Sequence, residues 1–511
     1  MKLLFILHFY QPYNQQVDIL ERIVNESYRP LVKGLLNNKK HRVVVNISGA
    51  LLSLLSDRGY SDVIDGLKTL ALRHQIEFTG SSMYHAFLPL LPGNEVERQI
   101  DLNSSISIQY FGEGFMPSGF FPPEMAISPE LLSIVSSKGY KWIATPEMAL
   151  DRNKYTADPA ANMYEDSHSG IKLFFRNKRV SSLVLSSIVK SAQELITETQ
   201  DIAETDKYWV CVMDAETFGH HRIGHDEVLF DILSHPFFDP CLSEDILALP
   251  LPTHACDVRS STWTNQEQDF WLTSNNSFVL WKDPENPIHK MQWEFTDFAI
   301  KTVADCDDIS GKCVEAHELL DKALASDQYW WASAKPWWSL EMIETGAFDL
   351  RQVIKLASTD AAILEKAESY YRGILDLAFF WQRSGHIRKK HLANSSTYLK
   401  EPFVVRTPAE WYNQVILEFE DEMNLASRNG NFEKAIKWRD AIIKLNNRTD
   451  IYDILHVVDE LWTVRNIPQV KPFLEYDWQE FSEFAKKNFI SCGSREEFER
   501  WKKERGFALP L

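Results

Sequence analysis

Residues 208–225 read YWVCVMDAETFGHHRIGH: an apolar run from Tyr208 to Met213 passes without interruption into Asp214 and Glu216. A short run with no alternation suits a parallel strand buried on both faces by helices. In a parallel barrel the C-terminal strand ends converge on one mouth, which is where sites are built. A strand that closes on two carboxylates therefore speaks to fold and site together.

The same grammar recurs on the N-terminal side. Short apolar or β-branched runs at Lys2 to His8, Arg42 to Asn46, Ile76 to Thr79, Gly119 to Phe121, Trp142 to Thr145 and Leu173 to Arg176 each precede Gly/Pro-rich residues and a helically spaced segment. Repeated βα units predict an α/β fold, an incomplete seven-stranded (β/α) TIM-like barrel. Residues 260–287, rich in Trp, Asn and Pro, read as a long functional loop. Beyond them Ile288 to Ala304, Cys313 to Ser326, Ser339 to Ala357 and Asp360 to Gln382 carry apolar residues at three- and four-residue spacing. The expected domains are a barrel over 1–287, a helical bundle over 288–408 that contributes to the cleft, and further helices over 409–511, with His391 to Pro408 as a connector.

At 511 residues the chain exceeds a single hydrophobic core, which fits a barrel of roughly 250–300 residues plus a second region. With 54 basic and 72 acidic residues the net charge is −18 and no long Lys/Arg run stands out, so neither nucleic acid nor a membrane is an expected partner. Sixteen Trp and seventeen Tyr supply many flat apolar faces, most of them for core packing, some available to sugar rings. The six cysteines are dispersed without a CxxC pair, predicting neither a zinc site nor a disulfide framework and fitting a reducing cytoplasm. The apolar run Leu3 to Leu7 is too short for a signal peptide and reads as a first buried strand. No stretch approaches the roughly 18 apolar residues of a membrane span.

Four strand ends carry candidate chemistry. His8 closes LFILHFYQPY (4–13), followed by Gln11, Pro12 and Tyr13; a lone histidine there equally suits a structural hydrogen bond. Glu77 lies inside an apolar strand and needs a partner, structural or sugar, because an isolated buried carboxylate is costly; His85 follows in a loop stiffened by Pro89 and Pro92. Glu124 follows Pro122 and Pro123, which stiffen the segment and could fix one carboxylate orientation; the alternative is that it opens a helix. Asp214 and Glu216, with His220, His221 and His225 behind them, form the densest ionisable cluster and could instead hold a metal. Two carboxylates facing each other across a sugar are what a retaining glycosidase needs, without metal or cofactor.

Assembled in order, these segments resemble glycoside hydrolase family 57. His8-Phe-Tyr-Gln11-Pro12-Tyr13 is similar to the first family motif, Glu77 to Pro92 to the second, Phe121-Pro-Pro-Glu124-Met to the third and Met213-Asp214-Ala-Glu216-Thr-Phe-Gly219 to the fourth. Ala325-Ser-Asp327-Gln-Tyr329-Trp330-Trp331 resembles the fifth. The resemblance spans about two-thirds of the chain. It implies a seven-stranded half-closed barrel followed by a helical bundle, with Glu124 as nucleophile and Asp214 as general acid/base. His8, Gln11, Glu77, His85, Glu216, Asp327 and Trp330 would contact substrate. Two positions depart from the family pattern: Tyr10 stands where the first motif usually has a second histidine, and Trp331 where some members have a histidine in the fifth.

The activity so implied is cleavage of α-1,4-glucosidic bonds in an α-glucan or maltooligosaccharide, or 4-α-glucan transfer through the same intermediate. A metal-dependent sugar deacetylase or mannosidase-like enzyme and a non-catalytic carbohydrate-binding protein are the rivals. A retaining pair should stand about 5–5.5 Å apart. Separately, NGNFEKAIKWRDAI (429–442) resembles the small helical motif of bacterial nucleotide-excision repair subunits. An amphipathic helical hairpin with Phe432, Ala435, Ile436 and Ala441 inward accounts for it without a partner.

Overall fold

A computed structural model describes residues 1–186, 189–203, 207–265, 277–306, 311–335, 337–394 and 409–446, with Trp478, Gln479, Ser482, Arg495, Phe498 and Glu499. The described chain forms two compact units. The first takes in Met1–Asn265, Ser277–Ser333 and Trp337–Ser384, and the second the remainder, including everything from Gly385.

Ten strands of the first unit make one sheet: β1 (Lys2–Phe9), β2 (Val43–Ile47), β3 (Ile76–Gly80), β4 (Gly119–Phe120), β5 (Trp142–Thr145), β6 (Met163–Asp166), β7 (Lys172–Phe175), β8 (Tyr208–Asp214), β9 (Asp239–Pro240) and β10 (Thr253–Cys256). The order is β10-β6-β7-β5-β4-β3-β2-β1-β8, with β9 also on β1, and these pairings are parallel except β6 with β7. The seven strands expected from the sequence are β1, β2, β3, β4, β5, β7 and β8. They follow one another around a curled sheet in which β8 returns to β1, as barrel closure would require, while β7 and β8 do not pair with each other. This is the incomplete seven-stranded barrel, followed by helices. The three additional strands were not foreseen because they carry little apolar signal: β10 is THAC and half exposed, β9 is two residues, and β6 ends in Glu165 and Asp166.

The gap between β7 and β8 explains an unusual buried cation. An open edge leaves backbone groups that must find partners. Arg176 Nε donates to Val212 O at 3.1 Å, the Asn177 amide donates to Val210 O at 2.8 Å, and the Val212 amide donates to Ser181 Oγ at 3.2 Å.

Alternation along the strands sets the faces. Leu3, Phe5, Leu7 and Phe9 of β1 join Val43, Val45, Ile76, Phe78, Trp209, Cys211 and Met213 in the outer core under the helices. Leu4, Ile6, Val44, Tyr208, Val210 and Val212 turn inward. His8, Asn46, Thr79 and Asp214 share that inward parity at the C-terminal ends, with His8 in register with both Asn46 and Asp214. Residues two positions earlier (Ile6, Val44, Glu77, Val212) form the layer beneath.

The helices used below are α1 (Gly93–Phe111), α2 (Pro287–Ala304), α3 (Lys312–Ala323), α4 (Asp327–Trp330), α5 (Leu340–Ala357), α6 (Ala361–Ser384), α7 (Ala409–Arg428) and α8 (Phe432–Asn446). The helix expected over Cys313 to Ser326 ends three residues early, and Ser326 instead precedes α4. Its backbone amide donates to His85 O at 3.1 Å, beside an antiparallel bridge between Ala86 and Ala325. Cys306 and Cys313 are joined in a disulfide between α2 and α3, which departs from the expectation of reduced cysteines; Cys211, Cys241 and Cys256 are free and buried. Of the connector expected over His391 to Pro408, residues 391–394 close a helix and 395–408 lie outside the described residues, as do 266–276 of the long loop. No described helix is long and apolar enough to cross a membrane.

In the second unit α7 and α8 form the expected hairpin, turned by Gly430 at φ 73°. Its inner face differs from expectation. Trp438 is fully buried against Phe419, and Ala441, Ile442 and Leu445 follow on the same stripe, whereas Phe432 is 64% and Ile436 40% exposed. The bulk of Trp438 sets the helix rotation and turns the Phe432–Ile436 stripe outward.

Candidate active site

The inward ends of β1, β2 and β3 are wired by side chains. Asn46 Nδ2 donates to Thr79 Oγ1 at 2.9 Å, leaving Asn46 Oδ1 to accept from His8 Nδ1 at 2.6 Å. His8 therefore carries its proton on Nδ1, and its bare Nε2 accepts from His85 Nε2 at 3.2 Å. That leaves His85 Nδ1 to accept from Ser326 Oγ at 3.1 Å. Both imidazoles are neutral: burial lowers His8 to about 4 and His85 well below its ordinary value. His85 Nδ1 lies 4.0 Å from Glu124 Oε1 and gives it no compensating charge. Tyr10, His85, His8 and Phe121 stack in series, with centroids 3.9, 5.2 and 4.9 Å apart.

Glu124 does not open a helix. It sits at φ 59°, ψ 16° in a single turn over Pro123–Met125, and the next helix begins only at Pro129. A left-handed glutamate costs about 1–3 kcal/mol, as does His85 at φ 57°, and such strain persists only where the surroundings enforce it. Here they do. Trp263 Nε1 donates to Glu124 Oε2 at 2.9 Å, its backbone amide donates to Glu124 O at 3.3 Å, and the Ile127 amide donates to Ser261 O at 2.9 Å.

Asp214 closes β8 beside Arg176. Burial raises Asp214 to about 6 and the guanidinium opposes the rise. Burial, then the charges of Asp214 and Asp327, raise Glu124 to about 8, against the Trp263 hydrogen bond. Glu124 thus lies within the field of Asp214, which opposes the ionisation of both at once.

The sequence-predicted residues divide into three sets. His8, His85, Glu124, Asp214 and Asp327 come together; Asp327 accepts from the Tyr10 hydroxyl at 2.5 Å, and burial raises its pKa. Trp330 begins the aromatic cluster beyond it, stacked on Trp337 at 4.4 Å. Gln11 and Glu216 meet behind Asp214: Glu216 Oε1 accepts from Gln11 Nε2 at 2.9 Å and from the Tyr28 hydroxyl, and Glu216 is 4% exposed. Burial and Asp214 raise Glu216 to about 8. These two are hydrogen-bonded to each other and to Tyr28. Glu77 sits one layer down, where Ser118 Oγ and Ser243 Oγ donate to it at 2.7 Å and the Ser243 amide at 3.0 Å. Its carboxylate oxygens are thus taken up by the seam between β4 and residue 243.

The histidines behind Asp214 diverge. His220 Nδ1 pairs with Glu26 Oε2 at 2.5 Å, while His225 Nε2 donates to Val184 O at 2.6 Å. Among the described residues they form no converging ligand set. Asn46, Arg176 and Trp263 were not foreseen as site residues. Asn46 and Arg176 stand at strand ends and could have been found by the convergence argument; Trp263, inside an irregular loop, gave no positional signal.

The sequence profile of glycosyl hydrolase family 57 matches residues 5–230, and that of the UvrB/uvrC motif matches 413–448. Alpha-amylase 1 of Dictyoglomus thermophilum is 25% identical over 217 residues, 42% of this chain and 31% of its own. The 4-alpha-glucanotransferase of Thermococcus litoralis is 24% identical over 248 residues, 48% of this chain and 37% of its own. The chain thus spans about a third of the length of these curated relatives. The crystal structure of the Thermococcus litoralis 4-alpha-glucanotransferase superposes with TM-score 0.57 and 17% identity, covering 70% of this chain and 60% of that one. A GH57-type branching enzyme of Pyrococcus horikoshii gives 0.52 and 16%, covering 73% and 94%. Residues 5–230 thus match the profile of glycosyl hydrolase family 57 and lie on a half-barrel whose fold these structures share.

Proposed function

We propose that the chain cleaves α-1,4-glucosidic bonds of α-glucans by retaining double displacement, with Glu124 as nucleophile and Asp214 as general acid/base. The observation that carries this reading is two buried carboxylates, Asp214 closing its strand and acting by its charge on Glu124, and Glu124 held in a strained conformation by Trp263. Glu124 attacks the anomeric carbon as the glycosidic C–O bond breaks, and Asp214 gives its proton to the departing oxygen. Asp214 then takes a proton from water or a sugar hydroxyl, whose oxygen attacks the same carbon and frees Glu124. The pair holds one proton before the first step, none in the glycosyl-enzyme intermediate, and one again after the second.

Asp327 is suited to sugar hydroxyls and the half-exposed Trp330 to a ring face. Both alpha-amylase and 4-alpha-glucanotransferase occur among the relatives, so water and sugar acceptors are both in scope. Incubation with maltoheptaose separates them: hydrolysis gives shorter chains alone, transfer gives longer ones as well. Activity that survives Glu124→Ala would refute the carboxylate assignment. A metal-dependent reaction at Asp214 is disfavoured by the divergence of His220 and His225.

A further inference from the structure

Between α1 and α3, Glu95, His317 and Asp321 bring one potential ligand atom each to within 4.8 Å of the others. Glu95 and Asp321 are 3% and 2% exposed. Glu95 Oε1 accepts from Asn94 Nδ2 at 2.9 Å, but Glu95 Oε2 and His317 Nε2 are both buried without a hydrogen-bond partner. Leaving a buried carboxylate oxygen unpaired is costly, so a missing partner is the economical explanation. The histidine, when protonated, forms only a loose ion pair with the glutamate, because the two atoms stand 3.6 Å apart, beyond a hydrogen bond. That separation is close to the roughly 3.3 Å edge of a tetrahedron whose centre lies about 2.0–2.1 Å from each ligand.

We propose that Glu95 Oε2, His317 Nε2 and an Asp321 carboxylate oxygen bind a borderline divalent cation of the Zn²⁺ class, with water as fourth ligand. One imidazole and two carboxylates suit such an ion better than Ca²⁺ or Mg²⁺, which take oxygen shells of six or more. Arg98 donates to Asp321 Oδ1 at 2.8 Å and Oδ2 at 2.6 Å, fixing the carboxylate plane and leaving a second lone pair on each oxygen. Two carboxylates and one guanidinium leave a formal charge of −1 for the cation to offset.

The site's place in the fold gives it a task. Gln99, one turn along α1 from Glu95, accepts from the Tyr84 amide at 3.1 Å and donates to Asp321 O at 2.9 Å. Tyr84 adjoins His85, and α3 leads through Ser326 to Asp327. A cation here clamps the His85 loop to the segment that delivers Asp327, away from the reacting carboxylates.

The full chain, stripped with chelator, reloaded with Zn²⁺ and desalted, should retain one more Zn²⁺ per chain, by elemental analysis, than His317→Gln or Glu95→Gln. Zn²⁺ should raise the Tm of the parent and leave those of the variants unmoved. Equal retention in parent and variants, or none in the parent, overturns the site. X-ray absorption on the loaded parent needs no variant: a first shell of one imidazole nitrogen with oxygens at about 2.0–2.1 Å supports it, and a shell containing sulfur or several imidazoles overturns it.

Discussion

The Tyr10 hydroxyl donates to Asp327 Oδ2 at 2.5 Å and so joins the residue that follows β1 to the first residue of α4. Tyr10 also covers His85, so one side chain at a position where the family motif usually has histidine braces two site residues. Tyr10→Phe keeps the ring stack and removes the hydrogen bond, a bond to a charged group worth about 1.5–3 kcal/mol. Steady-state kinetics on maltooligosaccharides should show kcat/KM reduced about tenfold or more, with Tm nearly unchanged. An unaltered kcat/KM would mean that Asp327 needs no such brace.

The Glu124–Asp214 pair titrates with values of about 6 and about 8. Turnover requires the singly protonated pair: below the first value both carboxyls are protonated and no nucleophile exists, above the second both are ionised and no acid exists. A bell-shaped kcat/KM with limbs near those values is expected. A flat profile from about pH 5 to about pH 9 would contradict the shared proton.

Trp263 gives a directional check on the same pair. Its Nε1–H lowers the Glu124 pKa by favouring the carboxylate, so Trp263→Phe should raise it. The alkaline limb of kcat/KM moves to higher pH while the acid limb, governed by Asp214, stays near its place. A shift toward lower pH would show that desolvation by the indole outweighs its hydrogen bond.

The half-barrel was legible because most of its seven strands are short, largely apolar runs, and such runs need no partner to be recognised. The polar strands β6, β9 and β10 could not be seen that way, since their identity depends on neighbours brought in from elsewhere. Strand-end logic found His8 and Asp214, and the motif resemblance added Glu124. Parity would have separated Glu77 from them. It faces inward, but two residues before Thr79, and an inward residue one layer below the mouth meets the barrel's own polar groups. Trp263 and the rotation of α8 rest on tertiary packing, which no local pattern encodes.

Glu77→Ala distinguishes the layers. It strands Ser118 Oγ, Ser243 Oγ and the Ser243 amide, a loss of about 2–3 kcal/mol in stability. Urea unfolding should register that loss, and KM for maltooligosaccharides in the folded fraction should match the parent. A raised KM without loss of stability would return Glu77 to the substrate.

Glu124→Gln should reveal what the site costs the fold. The carboxyl's value rises from 4.5 to about 8 on folding, so the native state holds a proton that the unfolded chain releases between those values. Stability from this group is complete below about 4.5 and lost as pH climbs through about 8, because the unfolded state binds fewer protons across that window. Glutamine imitates the protonated acid, can still accept from Trp263, and never ionises. The variant and parent should therefore melt together in acid, diverge as pH rises, and differ most above about 8, where the variant is more stable by on the order of a few kcal/mol. Differential scanning calorimetry across that range measures it. A variant less stable than the parent in alkali would mean that the ionised carboxylate is welcomed by its surroundings, and that burial does not govern this side chain.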